Sequence, residues 1–198
     1  MGKKRPSPDE LEATRQLLGP TNGVRPNAHL VVFGHGLYSY ALAYKCAADK
    51  LVDSLHGSSG QDVVFPLCYL YRHHLELMVK QCTRTANYVL HGNGGYAAKG
   101  HDLTGYWKEC RSLLERAMSS RWGTSFDKVE ECIAAFSFDF EGELFRYPED
   151  VSHSTWEHSV EYLNLRKMLD SVSAASDLLD SMFLQMNEQI RNEASCNE

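Results

Sequence analysis

The chain has 198 residues, enough for one domain around a single sizeable core and short for two. Apolar residues make up 43% and charged residues 23%, the balance of an ordinary globular protein, and no run of about 18 apolar residues exists to cross a membrane. A formal net charge of −6 repels polyanions in bulk, so nucleic acid would be held only by a local cationic patch.

The first residues, Met1-Gly2-Lys3-Lys4-Arg5-Pro6, are basic but have no apolar stretch behind them, so they do not read as a signal peptide. Pro6 stands where a myristoylation signal needs Ser or Thr. Cys46, Cys68, Cys82, Cys110, Cys132 and Cys196 are spread along the chain with no C-x-x-C spacing. All but the last fall in helical patterns, mostly on or beside an apolar face, as buried reduced thiols do. The expectation is a cytoplasmic protein with no metal site and no cofactor.

Residues 1–28 read as a peripheral arm, with Ser7 as N-cap, Pro8 in the first helical position and a stop before Gly19-Pro20. Residues 29–198 read as the bundle domain. Its first helix spans about residues 37–55, burying Ala41, Tyr44, Ala48, Leu51, Val52 and Leu55, and ends at Gly57-Ser58-Ser59-Gly60. The second spans about 63–90, with Pro66 tolerable only in the opening turn, and closes at Gly92-Asn93-Gly94-Gly95. A third starts from an N-cap at Asp102 and runs to about 119; a fourth covers about 125–136 through Phe126, Val129, Ile133 and Phe136. A loop with Phe145-Arg146-Tyr147-Pro148-Glu149-Asp150 precedes the last helix, about 162–190, whose tail over 191–198 is expected to fray. Nothing alternates with period two. The fold class expected is all-α, a bundle of about five helices with a short N-terminal helical arm.

The second helix carries two stripes. Cys68, Tyr71, Leu75, Met78, Val79, Cys82, Ala86 and Val89 share one face; His73, Glu76, Lys80, Arg84, Asn87 and His91 share another, left to line a surface or a groove.

Four patterns in chain order carry a family likeness: Tyr71-Arg72-His73-His74-Leu75-Glu76-Leu77-x-x-Lys80, Gly100-His101-Asp102-Leu103, Phe145-Arg146-Tyr147-Pro148-x-Asp150 and Tyr162-Leu163-Asn164-Leu165. Over roughly residues 37–190 the chain resembles the HEPN superfamily of helical bundles, and more narrowly bacterial HEPN-like proteins with an Arg-Tyr-Pro loop before the last helix. The resemblance implies a bundle of four or five helices, usually a homodimer, often in toxin–antitoxin, antiviral or RNA-processing systems. Its catalytic members are metal-independent endoribonucleases with an Arg-x4–6-His motif; others bind a nucleotide or a protein partner. Two stretches fit the motif here, Arg84-x6-His91 and Arg146-x6-His153. The second lies nearer the place the family uses, although Tyr147-Pro148 follows the Arg where the family usually has a polar residue.

Metal-free RNA cleavage needs a base for the 2′-hydroxyl, an acid for the leaving oxygen and cations for the phosphorane. Histidine suits the proton transfers and arginine the phosphate. The candidate catalytic residues are Arg146, His153 and His101; the candidate ligand-binding residues are Arg72, His73, Glu76 and Lys80. Each has a structural alternative. Glu76 and Lys80 form an i,i+4 pair common on exposed helices, His101 precedes an Asp N-cap, and Arg146 between two aromatics suits a buried clamp on Glu76 or Asp150. The glycine-rich segment 91–101 follows a helix and lacks Gly-Lys-Ser/Thr, so it reads as a connection and not a phosphate loop. The expected function is a HEPN-like module binding RNA, a nucleotide or a protein partner in a prokaryotic defence or toxin–antitoxin setting, with the endoribonuclease as alternative.

Overall fold

The computed structural model describes Ser7, Asp9 and residues 36–55, 63–95, 100–118, 122–137, 139, 142–149 and 163–195. Five helices occur among them: α1 (Leu37–Asp53), α2 (Val64–His91), α3 (Leu103–Ala117), α4 (Gly123–Ala134) and α5 (Leu165–Ser195). No strand occurs among the described residues, so the fold is an all-α bundle. None of these helices is long and apolar enough to cross a membrane. The arm expected over residues 1–28 lies, Ser7 and Asp9 apart, outside the described residues.

Helix α2 is the axis of the bundle, packing against α1, α3 and α5, while α4 bridges α3 and α5. Its apolar face behaves as the periodicity predicts: Leu75, Met78, Val79, Cys82 and Ala86 are fully buried, and Leu67 joins them. Trp107 and Leu114 from α3, Ile133 from α4 and Leu179, Met182 and Met186 from α5 close the same core. His74 is also fully buried and links three helices, contacting the Ala41 carbonyl through Nδ1 at 2.8 Å and Ser176 Oγ through Nε2 at 3.0 Å. The carbonyl cannot donate, so Nδ1 carries the proton. Burial lowers the His74 pKa and keeps the ring neutral.

Local signals set the helix ends. Gly92 closes α2 in the left-handed region, φ 69°, and donates its N–H to the Tyr88 carbonyl at 2.8 Å. Asp102 caps α3, its Oδ1 accepting from Gly105 N at 2.9 Å. Asn164 does the same for α5, accepting from Lys167 N at 3.0 Å. The C-terminal tail departs from expectation: α5 stays helical to Ser195. Gln189 bonds Glu193 one turn on at 3.0 Å, and Ser195 Oγ bonds back to the Arg191 carbonyl at 3.0 Å, so polar i,i+4 contacts extend the helix past its apolar stripe.

Candidate functional site

The polar side of α2 is covered rather than left open. Arg72 and Glu76 are at most 3% exposed, because the segment after α4 and the loop before α3 close over them. Arg72 is the hub. Its Nε donates to the Asp139 carbonyl at 3.2 Å, one terminal nitrogen to Glu76 Oε2 at 3.2 Å, and the other to the His101 carbonyl at 2.6 Å. Asp139 Oδ2 lies 3.3 Å from the same Nε but makes no hydrogen bond; the single Nε proton points at the carbonyl, so this contact is an ion pair. Asp139 Oδ1 accepts from Leu144 N at 3.0 Å, tying the segment back on itself. Gly142 then passes against the guanidinium with φ +70°; a Cβ there would lie 2.7 Å from one terminal nitrogen. Only glycine combines that dihedral with that approach.

Glu76 collects three partners. Besides Arg72, Lys80 Nζ donates to Oε1 at 2.6 Å and His101 Nδ1 lies 3.2 Å from Oε1. Burial alone would raise the carboxyl's pKa, but Lys80, His101 and Arg72 together hold it below its ordinary value. The group is therefore ionised at neutral pH and can only accept, which makes His101 Nδ1 the donor and leaves Nε2 as the second ring nitrogen. The His101 side chain is 49% exposed. Its backbone is fixed by Arg72 on its own carbonyl, by the Asp102 cap after it, and by Tyr106, whose hydroxyl donates to the Gly100 carbonyl. Lys80 also lies over the Tyr106 ring, 4.5 Å from its centroid. The arrangement presents one solvent-facing imidazole on an ionised carboxylate, over a buried cationic base.

Beside this cluster runs a row of rings. His73 stacks on Tyr69 with centroids 5.7 Å apart and meets Tyr44 edge-on at 4.5 Å. Burial lowers the His73 pKa, against a raising contribution from Glu76, so its ring is neutral at pH 7. The Arg146 guanidinium lies 5.8 Å from the Tyr69 ring and 5.3 Å from that of Tyr147, and its Nε donates to the Gly142 carbonyl at 2.6 Å. Arg146 is exposed and Tyr147 is 52% exposed.

Of the residues singled out in sequence, Arg72, Lys80 and His101 all meet on Glu76, and His73 and Arg146 lie beside them through the Tyr69 ring. The buried clamp on Glu76 is Arg72; Arg146 stays outside, joined to the cluster through Gly142. His153 lies outside the described residues. The other motif match, Arg84 and His91, is exposed near the far end of α2, with Arg84 about 18 Å along the axis from Arg72 at about 1.5 Å per residue. Asp139, Gly142, Tyr69 and Tyr106 were not singled out as site residues. Tyr69 adjoins the Tyr71–Lys80 motif, which was a usable cue; Asp139 and Gly142 had none. The exposed stripe expected for Glu76 is corrected: the carboxylate is 1% exposed because two distant loops cover it. No three His, Cys, Asp or Glu side chains among the described residues are grouped to hold a metal. Comparison with known protein families, with curated proteins and with solved structures finds no match for this chain.

Proposed function

We propose that the chain is a HEPN-like module that binds RNA along the rim formed by His101, Lys80, Tyr69, Arg146 and Tyr147. The observation that carries this reading is the junction of an outward imidazole, held on an ionised carboxylate, with an exposed Arg–Tyr pair. Such a rim offers cations for phosphate and ring faces on which unpaired bases stack. The net charge of −6 works against long-range attraction, so binding depends on short-range contacts and has a shallow salt dependence. Arg72 acts from below: its guanidinium is spent on Glu76, Asp139 and His101, so it positions the imidazole and leaves phosphate to Arg146 and Lys80. The defence or toxin–antitoxin setting, a reducing cytoplasm, a homodimer and a protein partner rest on the sequence resemblance and the thiol placement.

The Glu76–His101 pair favours one further reading, metal-independent RNA cleavage. A carboxylate that fixes the Nδ1–H tautomer aims the opposite nitrogen outward as a proton acceptor, the role a 2′-hydroxyl attack requires. Arg146 would hold the phosphate, with His153 as the complementary acid. Incubating the full chain with labelled single-stranded RNA, with and without EDTA, separates the readings. Binding that weakens about fivefold in Arg146→Ala supports the module, through loss of a cation and its stacked ring. EDTA-resistant cutting abolished by His101→Ala or His153→Ala supports the enzyme. RNA neither bound nor cut removes both.

A further inference from the structure

A second region stands apart from the polar cluster. Between α4, the first turns of α5 and the loop before α5 lies a cavity of 430 Å³, within the roughly 300–1,000 Å³ typical of small-molecule pockets. Its body is apolar, walled by Phe136, Phe145, Met168 and Val172. Phe136 and Phe145 meet edge to face at 6.5 Å, a fixed aromatic corner. Two thiols complete the wall. Burial pushes Cys68 up to about 12 and raises Cys132, so both stay protonated and behave as small apolar groups; Cys68 Sγ contacts Met168 Sδ at 3.7 Å. The lining is therefore that of a binding pocket and not of a thiolate nucleophile.

The rim carries the specificity. Glu131 on α4 and Lys167 on α5 both line the cavity and both are exposed, and neither makes a side-chain ion pair among the described residues. Lys167 stands in the opening turn of α5, a 31-residue helix whose N-terminal end carries partial positive charge. A ligand of one sign is drawn to one of these side chains and repelled by the other. A ligand with both signs on adjacent atoms meets both. We propose that this cavity binds a small apolar zwitterion the size of a free aromatic amino acid, its side chain packed against the Phe136–Phe145 corner, its carboxylate at Lys167 and its ammonium at Glu131. The site is independent of the RNA rim and stands or falls without it.

Three compounds with the same phenyl body test the assignment by isothermal titration calorimetry on the full chain: L-phenylalanine, phenethylamine and 3-phenylpropionate. L-Phenylalanine is expected to bind at least about fivefold tighter than either singly charged analogue, and Lys167→Glu is expected to weaken it about tenfold. Lys167→Glu places an acid in the first turn of a helix, where it is favourable, so helical content by circular dichroism stays native. Absence of L-phenylalanine binding up to about 10 mM overturns the proposal, as does equal or tighter binding of an analogue, or an unchanged affinity in Lys167→Glu.

Discussion

Two glycines with the same backbone and different surroundings allow the Arg72 clamp to be measured. Gly92 and Gly142 have φ of +69° and +70°. A Cβ at Gly92 meets nothing within 4 Å, so Gly92→Ala reports the cost of the left-handed conformation alone, about 1 kcal/mol. At Gly142 the same methyl would lie 2.7, 3.1 and 3.3 Å from three atoms of the Arg72 guanidinium. That group has no room to retreat, because Glu76, the Asp139 carbonyl and the His101 carbonyl hold it at 3.2, 3.2 and 2.6 Å. Relief requires either the loop to shift, at about 1–3 kcal/mol for overpacking, or the buried ion pairs to open, at about 3–5 kcal/mol. The cheaper route sets the cost, so Gly142→Ala is expected to lose about 1–3 kcal/mol more than Gly92→Ala. Urea denaturation followed by far-ultraviolet circular dichroism, at equal m-values, reads the difference. Equal losses, within about 0.5 kcal/mol, would refute the claim that the guanidinium is immobile.

Glu76→Gln is expected to cost about 3 kcal/mol near neutral pH, since Arg72 loses one of its two buried countercharges and Lys80 loses its partner. The pH profile gives a second check on the same carboxyl. Its folded pKa is depressed by Lys80, His101 and Arg72 despite burial, so its stabilisation is complete above the unfolded value of about 4.3 and is lost as pH falls through the folded value. Stability of Glu76→Gln should then fall less steeply than wild type across that acid window, read from urea midpoints; parallel profiles would show that the fold does not depress the Glu76 pKa. Among the thiols, Cys46 is exposed while Cys68, Cys82, Cys110 and Cys132 are buried and raised, with Cys68 and Cys110 pushed up to about 12. Brief iodoacetamide treatment at pH 8, mapped by mass spectrometry, should alkylate Cys46 well ahead of those four, and comparable early labelling of Cys82 would contradict the packing of α2 on α3 and α5.

The bundle was readable because its determinants are local. The spacing of Cys68, Leu75, Met78 and Cys82, the Asp102 cap and the glycines after His91 each act within a turn or two of the chain, and the helices form within a few residues of the predicted places. The site was readable only in part. Arg72, Glu76 and Lys80 follow helical spacing, and His101 stands beside a cap, so their candidacy was visible. The burial of Arg72 and Glu76 was not, because the segment of Asp139 and Gly142 that closes over Arg72 lies more than sixty positions downstream of both in an aperiodic stretch. A periodicity reading assigns exposure from the helix's own residues and cannot report a loop that lies across it. For that reason Glu76 and Lys80 looked like an ordinary surface pair, whereas one of them is a buried anion.

Burying an Arg, a Glu and an Asp together is a poor route to stability. The desolvation of such groups often cancels their attraction, and apolar replacements of similar volume are commonly neutral or better. The cluster has one outward-facing outcome: Arg72 holds the His101 backbone carbonyl while Glu76 holds its ring. A triple replacement, Arg72→Met with Glu76→Leu and Asp139→Asn, separates the two purposes, since it removes the charges together and strands none of the buried pair. Its stability is expected to lie within about 2 kcal/mol of wild type, while Arg72→Met alone, which strips the buried Asp139 carboxylate of its countercharge and leaves Glu76 only Lys80 and His101, loses about 3–5 kcal/mol. The triple variant should lose whatever cleavage of RNA the native chain has, because the imidazole no longer has a carboxylate to fix its tautomer. Should the triple variant unfold as readily as the single one, the cluster would be a determinant of the fold and its link to His101 incidental.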